Sequence, residues 1–287
     1  MRNGILVAAA IIGSAVCLLN AAPQQARFTS RATGVRVDAL VLQGNKPVGG
    51  LTAADFEVRD NGVLQTIDAV ESNDVPINAI LALDTSGSVD GRRLSDLIDA
   101  GRTLIDGLAP SDRGALMTFN QAVTRRVSLT SDAASLKAAL NQIVPSGATA
   151  IMDGVHVALV STLAEPGRSL VVVCTDGRDT ASWLDADEVI ETAKRSNAVI
   201  YAVAAGAAGR ESDLKSLVTL TGGQLIEVEK SSDYTAQLRR ILTEFRSRYV
   251  LSFTPTGVAP GGFHRLEVKV RRGGTTVKAR QGYISGG

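Results

Sequence analysis

The chain has 287 residues, enough for one or two domains with a hydrophobic core, and its 45% hydrophobic content excludes a disordered protein. Thirty basic and 29 acidic residues leave a formal charge of +1, which excludes binding to nucleic acid through bulk charge. Two histidines and two cysteines exclude a multi-histidine zinc centre, a four-thiolate metal site and a disulfide-rich scaffold.

Residues 1–26 read as a secretory signal peptide. Arg2 gives a positive start, Gly4 to Leu19 form an uncharged apolar run, and Ala21-Ala22 offer a small-residue cleavage site. An uncleaved N-terminal anchor is the alternative, and it is the one way this sequence reaches a membrane. Cys17 lacks the small preceding residue that a lipoprotein site wants. Cleavage removes Arg2 and Cys17, leaving a neutral mature chain with Cys174 as its single thiol. Periplasmic or secreted localisation is therefore expected.

Residues 27–75 read as a small β unit. Val35 to Val41 is a strand and Gly44 to Gly50 a turn cluster. Phe56-Glu57-Val58-Arg59 alternates with period two, Asp60-Asn61-Gly62 supplies a hairpin turn, and Val63 to Val70 is the return strand.

Residues 76–246 change rhythm. Ile77 to Leu83 is a nearly continuous apolar run, as expected of a parallel strand covered on both faces by helices. Helical spacing follows over Leu94 to Leu108, and strands recur at Gly114–Phe119, Leu170–Cys174 and Val199–Ala204. Helices are expected over 133–143, 150–163, 186–196, 212–220 and 234–245. The alternation predicts an α/β fold, doubly wound, with a mostly parallel sheet flanked by helices. The segment Ala122–Leu129 adds an antiparallel edge strand.

Residues 247–287 return to β character, with strands expected at Tyr249–Phe253, His264–Val270 and Thr275–Tyr283. Neither flank is long enough to form a stable sheet alone. The economical arrangement pairs them in one small β-sandwich-like unit into which the α/β domain is inserted.

The chemistry concentrates where strands end. Asp84-Thr85-Ser86-Gly87-Ser88 follows the first buried strand, Ser146-Gly147-Ala148-Thr149 precedes a helix, and Cys174-Thr175-Asp176-Gly177 ends another apolar strand. Ligand sites of such folds lie at the carboxyl ends of strands. Each motif alone also reads as a helix cap. Together they offer oxygen ligands only, which suits a hard divalent cation.

This constellation resembles the von Willebrand factor type A domain and its metal-ion-dependent adhesion site, over roughly Ile77 to Arg246. The D-x-S-x-S element falls on Asp84, Ser86 and Ser88, the later threonine on Thr149 and the later aspartate on Asp176. Thr221-Gly222-Gly223 fits as well, and Asp55-Phe56-Glu57-Val58 and Tyr249 to Pro255 are similar to an exported bacterial subgroup of the family. The resemblance implies a Rossmann-like fold and a binding role without catalysis. Ser86, Ser88 and Thr149 would ligate the metal through hydroxyls. Asp84 and Asp176 would hold its water ligands or bind it directly. The implied cofactor is a divalent cation, Mg²⁺ first, with Mn²⁺ or Ca²⁺ as substitutes, and the implied partner is a protein supplying an Asp or Glu carboxylate.

Neighbouring residues have plainer readings. Asp179, near the candidate site, is expected to be a solvated loop residue, with tuning or rimming the site as the alternative; Asp153 and His156 are expected to be structural, and Cys174 buried and inert. Trp183 serves either a binding rim or packing. Arg239, Arg240 and Arg246 are expected to face solvent. The alternatives in function are a structural module with a stabilising metal and a hydrolase, although no G-x-S-x-G or nucleotide-binding motif is present.

Overall fold

The computed structural model describes residues 34–72, 75–206 and 212–285. The expected signal peptide lies outside the described residues. Among the described residues no helix is long and apolar enough to cross a membrane.

The α/β part is built on six strands: β6 (Ile77–Asp84), β7 (Arg113–Phe119), β8 (Val123–Thr130), β9 (Arg168–Thr175), β10 (Val199–Ala205) and β11 (Gln224–Val228). They lie in the order β11-β10-β9-β6-β7-β8, all parallel except the edge strand β8. Every residue of β6, β9 and β10 is buried. Alternate residues explain this. Ala79, Leu81 and Leu83 enter one apolar core with α1 (Arg92–Asp106) and α6 (Tyr234–Arg246). Ile80 and Ala82 enter the other, with α3 (Ile151–Val160), α4 (Ala186–Arg195) and α5 (Ser212–Leu220). The helix α2 (Ala133–Leu140) joins the first core. This is the doubly wound α/β fold that the alternating pattern predicts.

Strands from both ends of the chain form the second layer system. One sheet contains β14 (Thr275–Lys278), β1 (Val35–Gln43), β12 (Tyr249–Phe253) and β5 (Ile67–Ser72), with the short β2 (Lys46–Pro47) beside β1. The other contains β15 (Gly282–Ser285), β13 (Gly262–Val270), β3 (Phe56–Asp60) and β4 (Val63–Gln65). Their inward residues share one core. Val37, Ala39 and Val41 of β1 and Leu251 and Phe253 of β12 meet Val58 of β3 and Leu266 of β13, and the Phe56 and Tyr249 rings lie edge-on at 5.3 Å. Asn61 and Gly62, at φ 47° and 83°, make the two-residue hairpin turn between β3 and β4, a conformation that glycine adopts without strain.

Two expected strands are each broken in two. Val63–Val70 splits at Thr66, so β4 stays in the hairpin with β3 while β5 crosses to pair with β12. Thr275–Tyr283 splits likewise, with β14 on β1 and β15 on β13. A corner-turning strand keeps its alternation while changing sheets, so the period alone does not show the crossing.

Buried arginines join the sandwich to the α/β part. Arg168 opens β9 and donates from Nε to Asp38 Oδ1 of β1 at 2.7 Å and from Nη2 to the Phe245 carbonyl at 2.8 Å. Its guanidinium also lies 4.6 Å from the Phe245 ring centroid. Arg248, fully buried, donates to the Tyr201 hydroxyl and to the carbonyls of Gly222 and Asp38. Arg246 is half-buried rather than solvated, because its Nη2 pairs with Asp112 at 2.5 Å.

The Arg168 side chain is 1% exposed. Asp38→Ala leaves that charge buried without its counter-ion, and urea unfolding should show a loss of about 3 kcal/mol. A change below about 1 kcal/mol would mean that Phe245 alone compensates the guanidinium.

Candidate metal centre

The strand order reverses at β6. The chain leaves β6 through α1 to β7 on one side, and β9 is added on the other. The carboxyl ends of β6 and β9 thus flank the crevice where open α/β sheets bind ligands. The parallel register pairs Leu83 with Cys174, so Asp84 ends its strand beside Thr175, with Asp176 next along the chain.

Asp84 is 0% exposed. Its Oδ1 accepts the Ser86 N–H at 2.9 Å and its Oδ2 accepts the Thr175 hydroxyl at 2.6 Å. Burial nevertheless pushes its pKa above the ordinary carboxylate value, opposed by these hydrogen bonds and reinforced by the nearby Asp176 charge. The chain then turns. Ser86 Oγ and Ser88 Oγ lie 3.0 Å apart, and the Ser88 hydroxyl donates to Asp176 Oδ1 at 2.7 Å. Thr149 is buried at the start of α3. A Cβ added at Gly177 would lie 3.2 Å from Thr149 Oγ1, so that hydroxyl stands directly against the residue following Asp176.

The structure therefore gathers Asp84, Ser86, Ser88, Thr149 and Asp176 at one crevice. Backbone bonds stitch the loops that carry them. Gly87 N–H donates to the Gly147 carbonyl at 3.0 Å and Ser146 N–H to the Thr85 carbonyl at 2.8 Å. Thr149 N–H donates to Thr180 Oγ1, while its carbonyl accepts from the N–H groups of Thr180 and Ala181. The donor set is chemically suited to a hard cation: three hydroxyls and two carboxylates, with a glycine where a larger residue would crowd Thr149. Among the described residues no three His, Cys, Asp or Glu side chains converge on another metal site.

Sequence reasoning missed Arg93 and assigned Asp179 to solvent. Arg93, in the first turn of α1, donates from Nη1 to Asp176 Oδ2 at 2.8 Å and to the Ser88 carbonyl at 3.0 Å. Nothing in its local sequence separates it from Arg92. Asp179 is not the solvated loop residue expected. Its Oδ2 accepts the Met152 N–H at the start of α3 and the Ser182 hydroxyl, and its Oδ1 accepts the Ser182 N–H. An N-capping carboxylate supplied from another loop leaves no signal at the helix itself. Asp153 likewise fixes that loop, accepting the N–H groups of Trp183 and Leu184. The Trp183 side chain is left 90% exposed, so it has no packing role here. Cys174 is fully buried and burial raises its thiol pKa, as an inert thiol requires. His156 Nδ1 lies 3.3 Å from the Thr192 hydroxyl. His264 is buried in the sandwich, with Nδ1 2.8 Å from Asp60 Oδ1, while the Tyr283 hydroxyl donates to Asp60 Oδ2.

Raising the pKa of Asp84 destabilises its ionised form in the folded chain. That contribution favours folding at low pH and is lost as pH rises through the folded pKa. Asp84→Asn keeps an acceptor for Ser86 and carries no charge. At neutral pH in EDTA it should raise the melting temperature by about 3 °C, corresponding to about 1 kcal/mol. A lower melting temperature would contradict the buried-charge description.

The profile of the von Willebrand factor type A domain matches residues 78–242. Inter-alpha-trypsin inhibitor heavy chain H2 of Sus scrofa is 26% identical over 201 residues, 64% of this chain and 22% of that protein. Its Homo sapiens counterpart is 25% identical over 186 residues, 59% of this chain and 20% of that protein. The chain thus spans about a fifth of the length of these curated relatives. Among solved structures, a von Willebrand factor type A protein from Catenulispora acidiphila superposes with a TM-score of 0.57 at 14% identity, covering 84% of this chain and 75% of that one. Proximal thread matrix protein 1 from the mussel byssus, in a form with a zinc-occupied metal-ion-dependent adhesion site, gives 0.54 at 17% identity over 63% of this chain and 48% of that one. The PilB minor pilin of Streptococcus sanguinis gives 0.50 at 13% identity over 60% and 62%. At these identities the structural likeness establishes the fold alone. The profile match covers more than half of the sequence, and the chain belongs to the von Willebrand factor type A domain family.

Proposed function

We propose that this protein is an exported binding module that captures a carboxylate of a partner protein at a divalent metal centre. The observation that carries the proposal is the convergence of Ser86, Ser88 and Thr149 with Asp84 and Asp176 at the switch point between β6 and β9. The all-oxygen set favours Mg²⁺, with Mn²⁺ or Ca²⁺ acceptable to the same ligands. The zinc-occupied site of the mussel protein supports a divalent ion on this fold.

The residues divide the work. Ser86, Ser88 and Thr149 present hydroxyl lone pairs, which hold a cation without neutralising it. Asp84, fixed by Thr175 and Ser86, balances charge from beneath the crevice. Asp176 closes the site from β9. A cation held this way would offer an open coordination position to an Asp or Glu of the partner. Trp183 stands exposed on the loop that bonds to Thr149 and offers an aromatic contact at the rim.

Catalysis is not part of the proposal. Ser86 and Ser88 bond to each other and to Asp176, while His156 bonds to Thr192 and His264 is buried with Asp60, so neither histidine serves them as a base. The leader-like residues 1–26 support export, and one protein that shares the fold is named a minor pilin.

A pull-down of exported proteins tests the proposal, using wild type, Asp84→Ala and Ser86→Ala, each with Mg²⁺ and with EDTA. Partners should bind wild type in Mg²⁺ and fall at least about tenfold with either substitution or with EDTA. Retention in EDTA would overturn the metal-dependent reading. A metal-raised melting temperature with no metal-dependent partner would instead favour a purely structural ion.

A further inference from the structure

We infer that Arg93 is a resident cation of the metal centre: by holding the outer oxygen of Asp176, it weakens metal binding and keeps a bound metal electrophilic toward a partner carboxylate. The inference rests on the metal reading above and concerns what this chain's own side chain does to it.

The two oxygens of Asp176 are engaged differently. Oδ1 faces the serine hydroxyls through Ser88 Oγ, whereas Oδ2 receives the Arg93 guanidinium at 2.8 Å. The same guanidinium nitrogen also binds the Ser88 carbonyl, so Arg93 spans the two loops that contribute ligands. The pair is lopsided in burial. The Asp176 side chain is 5% exposed and that of Arg93 57%. The carboxylate is thus fixed inside the site, while the cation approaches it from solvent.

Helix electrostatics argue against a purely structural role. Arg92 and Arg93 occupy the first turn of α1, which contains no acidic residue. The positive end of the helix dipole disfavours cations there. The site, rather than its own helix, compensates Arg93. The guanidinium also has somewhere to go. It borders a cleft of about 570 Å³ lined in part by Arg92, Asp96, Asp176, Glu229 and Lys230, where Asp96 and Glu229 offer alternative acceptors.

Asp84 and Asp176 together would neutralise a divalent ion. With Asp176 paired to Arg93, one negative charge remains, and the loaded site keeps a net positive charge. Metal affinity falls and attraction for an incoming carboxylate rises, both from one ion pair.

Calorimetric titration with MnCl₂ alone tests this on wild type, Arg93→Gln, Arg93→Lys and Asp84→Ala, at low and at high NaCl. Arg93→Gln should bind Mn²⁺ about three- to tenfold more tightly than wild type, a range reduced for the solvent exposure of the pair. The difference should shrink at high salt. Arg93→Lys, which keeps the charge, should stay near wild type, and Asp84→Ala should lose binding. Equal or weaker Mn²⁺ binding by Arg93→Gln, beside measurable binding by wild type, would overturn the inference and leave the metal centre standing. No Mn²⁺ binding by wild type or Arg93→Gln would overturn the metal reading itself, and this inference with it.

Discussion

A carboxylate stripped of water needs compensation, and Asp84 is such a carboxylate at the point where the parallel sheet stops. Helices cover both faces of β6, so its last residue is as enclosed as its first. The Thr175 hydroxyl and the Ser86 N–H supply two hydrogen bonds, yet burial still outweighs them and raises the pKa. A serine-rich turn, a threonine at a helix mouth and a second aspartate stand around this charge. The loops that carry them are held together by backbone hydrogen bonds between residues 85–87 and 146–147. The fold thus builds a buried charge into its switch point and surrounds it with oxygen donors.

The sequence carries almost no net charge, 30 basic against 29 acidic residues, which bears on the proposed binding role. A chain with no excess charge does not draw acidic partners over its whole surface. In the proposed role, attraction is concentrated where the serine hydroxyls, Thr149 and Arg93 meet, at the edge that also presents Trp183. The sandwich contributes no ligand to this crevice. Its attachment through Arg168, Arg248 and Asp38 lies at the start of β9, whereas the crevice lies at its other end. Interdomain anchoring and ligand chemistry therefore occupy opposite ends of the same strand.

The fold class was legible because burial writes itself into composition. The apolar run of β6 and the helical spacing of α1 follow directly from two-faced and one-faced burial. The candidate site was legible because five oxygen-bearing residues sit at strand or helix ends, where local sequence marks the turn. What escaped was relational. Thr66 and residues 279–281 mark corners at which a strand changes sheets without changing its alternation. Arg248 resembles any arginine after a helix until β1, β10 and the turn at Gly222 close around it. Asp179 and Arg93 gain their roles from residues 27 and 83 positions away. No local periodicity encodes such pairings.

The most direct measurement is anomalous diffraction from a crystal of the protein soaked in Mn²⁺. The account predicts one strong peak within coordination distance of the Ser86, Ser88 and Thr149 hydroxyls, beside Asp84 and Asp176. A fully soaked crystal with an accessible crevice and no peak there, or with its peak on other residues, would contradict it.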